Sequence, residues 1–197
     1  MPRTRSTEAH KKVIEAAVSL FSERGIDATS MDAIAETSGV SKATIYKHWP
    51  HKDALALEVL GHIHGLDRQP PTFNSGDYRR DLIDLLSYQP GTDQRLKEKI
   101  WPHLMAYSAR NPAFGDAWRA RVSDPARARL IAIIKRGQSQ GIVRKSLDHE
   151  VGVALLLGPF IYRHIFTRRN GGKAPKDLET NVADAFLAAF ATAKKPA

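Results

Sequence analysis

The chain contains no cysteine in its 197 residues. Disulfide frameworks and thiolate metal sites are therefore excluded, and the composition suits the reducing cytoplasm. It also lacks a long apolar run. The longest uncharged apolar stretch is residues 151–162, short of the roughly 20 needed to span a bilayer, so no membrane partner is expected. The polar start MPRTRSTEAHKK has no apolar leader segment. P-loop, Rossmann, nucleophile-elbow and HExxH signatures are missing, so no enzyme is expected. The histidine groups His48/His51, His62/His64 and His103/His164 bring no carboxylate or thiol at ligand spacing. His62 and His64 would also point to nearly opposite sides of a helix, so neither metal nor cofactor is expected. Acidic residues are the scarcer charge: 21 against 30 basic, a net charge of +9. The excess is densest in residues 95–145. That fits solvated helix faces, an acidic ligand, or long-range attraction to DNA.

What the chain does have is helical periodicity almost throughout. Apolar spacing predicts helices over about 7–24, 51–66, 77–88, 93–110, 112–140, 147–167 and 175–192. Two short helices within 29–50 complete an all-α chain of about nine. Pro102 is expected to kink its helix or mark its start. Asp124-Pro125 should interrupt the 112–140 helix, with Asp124 as N-cap. The 147–167 helix is apolar nearly all round, through Val151, Val153, Ala154, Leu155, Leu156, Leu157, Phe160, Ile161, Ile165 and Phe166. Such a helix needs cover on every side. For an element near the C-terminus, a partner subunit is the simplest cover. The last helix carries a stripe of Leu178, Val182, Phe186, Leu187, Ala189 and Phe190.

The most specific stretch is TSMDAIAETSGVSKATIYKHWPHKDAL, residues 29–55. Ser30 can cap a helix whose Met31, Ile34 and Ala35 form one apolar stripe. Gly39 suits the left-handed backbone of a tight turn. Val40 can plug the angle between two helices, and Ser41 can cap the second. Ile45 and Trp49 then face inward, leaving Lys42, Thr44, Lys47 and His48 outward. Pro50 ends the helix. Two short helices with a basic second face match a helix-turn-helix, whose second helix enters the DNA major groove. Lysine can donate to guanine, and the methyls of Ala43 and Thr44 can pack on thymine. Thr29 and Ser30 can bind phosphate by hydroxyl or backbone N–H at a helix start. Arg3, Arg5, Lys11 and Lys12 form a basic N-terminal arm suited to phosphates or the minor groove.

Residues from about 7 to 60 resemble the DNA-binding domain of the TetR/AcrR family of bacterial transcriptional regulators. The resemblance rests on Ile14-Glu15-Ala16-Ala17, Leu20-Phe21, Gly25, Thr29-Ser30-Met31, Ile34-Ala35, Gly39-Val40-Ser41-Lys42, Thr44-Ile45-Tyr46 and Lys52-Asp53-Ala54-Leu55. Ala43 and His51 depart from the usual glycine and serine, and His51 is expected to cap its helix more weakly. The resemblance implies a DNA-binding domain over 1–52 and a helical effector-binding and dimerisation domain over 53–197. It implies phosphate contacts by Tyr46 and Lys52. It further implies a homodimer held by the last two helices, here Val153, Leu156, Leu157, Phe160, Ile161, Val182, Phe186, Ala189 and Phe190. A small-molecule effector would lie in a pocket among the middle helices. Tyr88, Trp101, His103, Leu104, Tyr107, Phe114, Trp118, Phe160 and His164 supply suitable apolar and polar groups there.

These observations together predict a sequence-specific transcriptional regulator, a repressor released from a palindromic DNA operator by a small molecule. An activator, or a constitutive binder without effector, is the alternative. An all-helical enzyme is a remote one, lacking a catalytic constellation.

Overall fold

A computed structural model describes residues 3–66, 68–88, 94–163 and 177–192. The chain is all-α. Among the described residues, β-pairing is limited to an isolated antiparallel bridge between Val143 and Ala191. The helices are α1 (Arg3–Arg24), α2 (Met31–Ser38), α3 (Lys42–His48), α4 (Lys52–Ile63), α5 (Tyr78–Ser87), α6 (Gln94–Arg110), α7 (Pro112–Trp118), α8 (Asp124–Ser139), α9 (His149–Tyr162) and α10 (Leu178–Phe190). The expected N-terminal arm is helical from Arg3 onward.

Local chemistry explains the boundaries. Ser30 accepts from the Ala33 N–H at 3.1 Å and starts α2. Gly39 ends it in the left-handed region, φ 67°, where a β-carbon would be strained. Ser41 caps α3 by accepting from the Thr44 N–H. His51 caps α4 through Nδ1, which accepts from the Ala54 N–H at 3.2 Å. The cap expected to be weaker is therefore made, through the ring nitrogen Nδ1. Pro102 lies inside α6, which runs through it.

At residues 119–124 the structure differs from expectation. Asp124 does not cap; it is the first residue of α8, preceded by a π-helical segment Arg119–Ser123. Pro125 has no N–H for the carbonyl four residues back, and the hydrogen-bond ladder widens ahead of it.

Two compact units result. One comprises Met1–Gln69 and Pro90–Val122, the other Pro70–Gln89 and Ser123–Ala197. The first is built on α1, α2, α3, α4, α6 and α7 around Phe21, Ile34, Ile45, Leu55, Leu60 and Leu104. The second packs α5, α8, α9 and α10 around Leu82, Ile134, Val143, Leu156 and Ala183. In the second unit Asp81 is 2 % exposed. It accepts from the Ser75 N–H at 2.8 Å and from Arg136 Nη2 at 2.6 Å, tying the approach to α5 onto α8.

Candidate nucleic-acid interface

α3 spans only seven residues, so its orientation comes from packing, because so short a helix is marginal alone. Ile45 and Trp49 are buried and anchor it, and Val40 packs half-buried in the turn. Lys42, Ala43, Tyr46, Lys47 and His48 are exposed. Thr44 is half-buried, with Oγ1 2.9 Å from Ser41 Oγ. An open groove of about 570 Å³ runs between α1 and α3, lined by Glu8, Ala9, Lys12, Gly39, Val40, Thr44, Lys47 and His48. The ammonium of Lys42 is held 2.8 Å from Asp32 of α2. Lys11 and Lys12 pair with Glu15 and Glu8 along α1. These pairs are exposed and contribute about 0–1 kcal/mol each, so a phosphate can displace them.

Two expected DNA contacts have another role here. Thr29 is 1 % exposed, and its hydroxyl donates to the Gly25 carbonyl at 2.7 Å. It closes the turn between α1 and α2 and offers no hydroxyl to solvent. Lys52 donates from Nζ to the carbonyls of Asp27 and Thr29, at 3.1 and 3.0 Å. Its ammonium also lies 5.8 Å from the Tyr107 ring centroid. Burial lowers its pKa, against the opposing attraction of Asp53. Lys52 thus bolts the start of α4 to the loop before α2. Nearby, Tyr107 donates to Asp53 Oδ1 at 2.5 Å. Burial, together with that bond and the charge of Asp53, pushes its hydroxyl up to about 12.

The described residues expected around an effector divide between the two units. Leu104, Tyr107, Phe114 and Trp118 are buried in the first unit's core, with Trp101 packed against it. His103 packs its ring against the turn at Gly25. Tyr88 and Phe160 belong to the second unit, where Tyr88 meets Phe73 edge-on at 5.8 Å. His164 lies outside the described residues.

The expected dimer residues also divide. Val153, Leu156, Val182 and Phe186 are buried in the second unit's own core, because α9 and α10 turn these positions toward α5 and α8. Leu157, Phe160 and Phe190 are half-buried, whereas Ile161 and Ala189 are exposed. The exposed large apolar residues of α9 are Val151, Leu155 and Tyr162 together with the expected Ile161.

Sequence reasoning did not find Glu58 and His10. Trp49 Nε1 donates to Glu58 Oε2 at 2.7 Å, and His10 Nε2 lies 2.6 Å from Glu58 Oε1. A buried indole N–H calls for an acceptor, but spacing does not say which residue supplies it.

Helix capped by serine, left-handed glycine turn and exposed basic second helix define a helix-turn-helix DNA-binding domain, followed by further helices. Residues 13–59 match the model for bacterial regulatory proteins of the tetR family, and residues 73–189 match the tetracyclin repressor-like C-terminal domain. The chain is 29% identical over 172 residues to the HTH-type transcriptional regulator YdeS of Bacillus subtilis (strain 168), covering 84% of this chain and 82% of that protein. It is 28% identical over 148 residues to the DNA-binding transcriptional repressor TetR of Mycobacteroides abscessus, covering 73% and 77%. A putative transcriptional regulator from Saccharomonospora viridis, solved in complex with choline, shares the fold with a TM-score of 0.73 at 24% identity, over 95% of this chain and all of that one. The chain belongs to the TetR family of DNA-binding transcriptional regulators. Among the described residues, no helix is long and apolar enough to cross a membrane.

Proposed function

We propose that this regulator is a cytoplasmic homodimeric repressor that leaves a two-fold symmetric operator when a small molecule binds. The observation that carries the reading is the exposed face of α3, where Lys42, Ala43, Tyr46, Lys47 and His48 stand clear of the core. Two such faces, set about one helical turn (roughly 34 Å) apart, would read two half-sites. Tyr46, Lys47 and the N-cap region at Ser30 are the phosphate contacts in this reading. Lys42, Ala43, Thr44 and His48 meet base edges.

The dimer is supported by the apolar face that α9 leaves open. Val151 is 51% exposed and Leu155 47%. A soluble helix with such a stripe calls for cover, and a second copy of the same face supplies it with two-fold symmetry. Release by ligand needs unequal affinity of the effector for the DNA-bound and free states, typically about 1–3 kcal/mol of coupling.

Selection of a duplex from a random pool, followed by footprinting, tests the reading. A palindromic footprint is expected. Lys47→Ala should weaken binding to all sequences alike and reduce the salt slope by about one unit. An unchanged affinity and slope would remove Lys47 from the interface. A monomer bound to a single unrepeated site would overturn the homodimer.

A further inference from the structure

A seven-residue helix with two core anchors can roll, and its last anchor sits where the chain changes direction. Trp49 has extended backbone, φ −129° and ψ 100°, immediately before Pro50. Its indole is 3 % exposed, so the ring's orientation sets how the end of α3 lies. One carboxylate fixes that ring. Glu58, on α4, accepts from Trp49 Nε1 at 2.7 Å through one oxygen and faces His10 Nε2 of α1 at 2.6 Å through the other. The His10 ring lies 4.9 Å from the Trp49 ring at a 34° tilt, closing the cluster from the α1 side. The His48 ring stands 6.1 Å from His10 and 5.6 Å from Trp49. Glu58 meets the end of α3 through the Trp49 indole, so its effect on DNA passes through that ring.

We propose that Glu58 is a positioning residue for DNA reading, which holds the end of the recognition helix in register by bridging Trp49 and His10. The inference rests on α3 being the reading helix. A charge-assisted hydrogen bond is short and directional. Rolling the indole would break it and leave the carboxylate half-buried beside an unpaired N–H. The bond therefore restrains rotation, whereas the apolar contacts of Ile45 restrain only depth. Base contacts need correct angles, and phosphate contacts tolerate shifts. Loss of the bridge should thus weaken sequence discrimination while leaving nonspecific binding.

The test compares affinity for the duplex selected by the wild type with affinity for a random duplex of equal length. Both are measured well below the melting temperature of each variant. Trp49→Phe keeps the ring and removes the donor; Glu58→Ala removes the acceptor. Each should bind the selected duplex about tenfold more weakly, the size of one lost base contact, and the random duplex within about twofold. Glu58→Gln keeps an acceptor for the indole and should restore most of the discrimination. The Trp49 indole N–H resonance should move in Glu58→Ala and stay near its wild-type position in Glu58→Gln. A merely structural Glu58 would lower the melting temperature with discrimination unchanged, and that result overturns the proposal. If Glu58→Ala fails to fold, Trp49→Phe with wild-type discrimination overturns it equally. A wild type that selects no duplex overturns the DNA-reading assignment itself, and the bridge with it.

Discussion

Gly137 leaves no room for a side chain. A β-carbon there would sit 2.6 Å from Cζ and Oη of Tyr78, whose hydroxyl donates to the Ile133 carbonyl at 3.1 Å. The ring is rigid and buried, and burial pushes its hydroxyl up to about 12 against the opposing pull of Arg136. Gly137→Ala should therefore destabilise the second unit by about 1–3 kcal/mol, the usual cost of overpacking, despite alanine's better helix propensity. Urea unfolding checks this; a stabilised variant would show that Tyr78 moves aside. His51 is the opposite kind of residue, exposed yet structural. Its Nδ1 lone pair starts α4. Removing it by His51→Ala should cost about 0.5–2 kcal/mol, read by thermal melting with operator affinity at low temperature unchanged.

One buried carboxylate, Asp81, adds an ion pair to the junction of α5 and α8. Burial would raise the pKa of Asp81, but the bonds from Ser75 and the Arg136 guanidinium outweigh it and hold the group below its ordinary 3.8. A depressed carboxyl contributes stability that is complete above the unfolded value of about 3.9 and disappears as pH falls through the lower folded value. The second unit should therefore lose stability as pH drops below about 4. Asp81→Asn should remove that acid-dependent part and leave Arg136 without its counter-charge. The cost at neutral pH should be about 3 kcal/mol, the low end for a broken buried pair because Arg136 is partly exposed. Unfolding free energies of both proteins from pH 3 to 7 decide it: parallel curves would mean that Asp81 does not carry the acid sensitivity.

For the whole molecule, the two faces of α9 carry the test of the proposed homodimer. Leu156 is fully buried in the chain's own core, and Leu155 beside it is exposed. Leu155→Asp should leave the fold intact and give a monomer in sedimentation at micromolar concentration, with operator affinity reduced because paired half-sites are lost. Leu156→Asp should instead unfold the second unit, since a lone buried charge costs several kcal/mol. A dimeric Leu155→Asp protein would move the interface elsewhere.

The helix-turn-helix was legible in the sequence because its determinants are local. Ser30, Gly39 and Ser41 act on backbone groups within four residues, and Met31, Ile34 and Ile45 repeat at helical spacing. That α9 is apolar was equally readable. Which of its residues stay open was not, because that depends on where α8 and α10 cover it. Lysine and threonine patterns did not reveal that Lys52 and Thr29 are occupied by carbonyls of the turn between α1 and α2. A donor type announces the need for an acceptor, never its address. Glu58 is nine positions from Trp49, and Asp81 is 55 from Arg136. Sequence alone determined the family, the all-helical class and the helix-turn-helix. The tertiary structure alone decided which polar groups hold the fold and which stand exposed, because only folding brings distant donors and acceptors within hydrogen-bond reach.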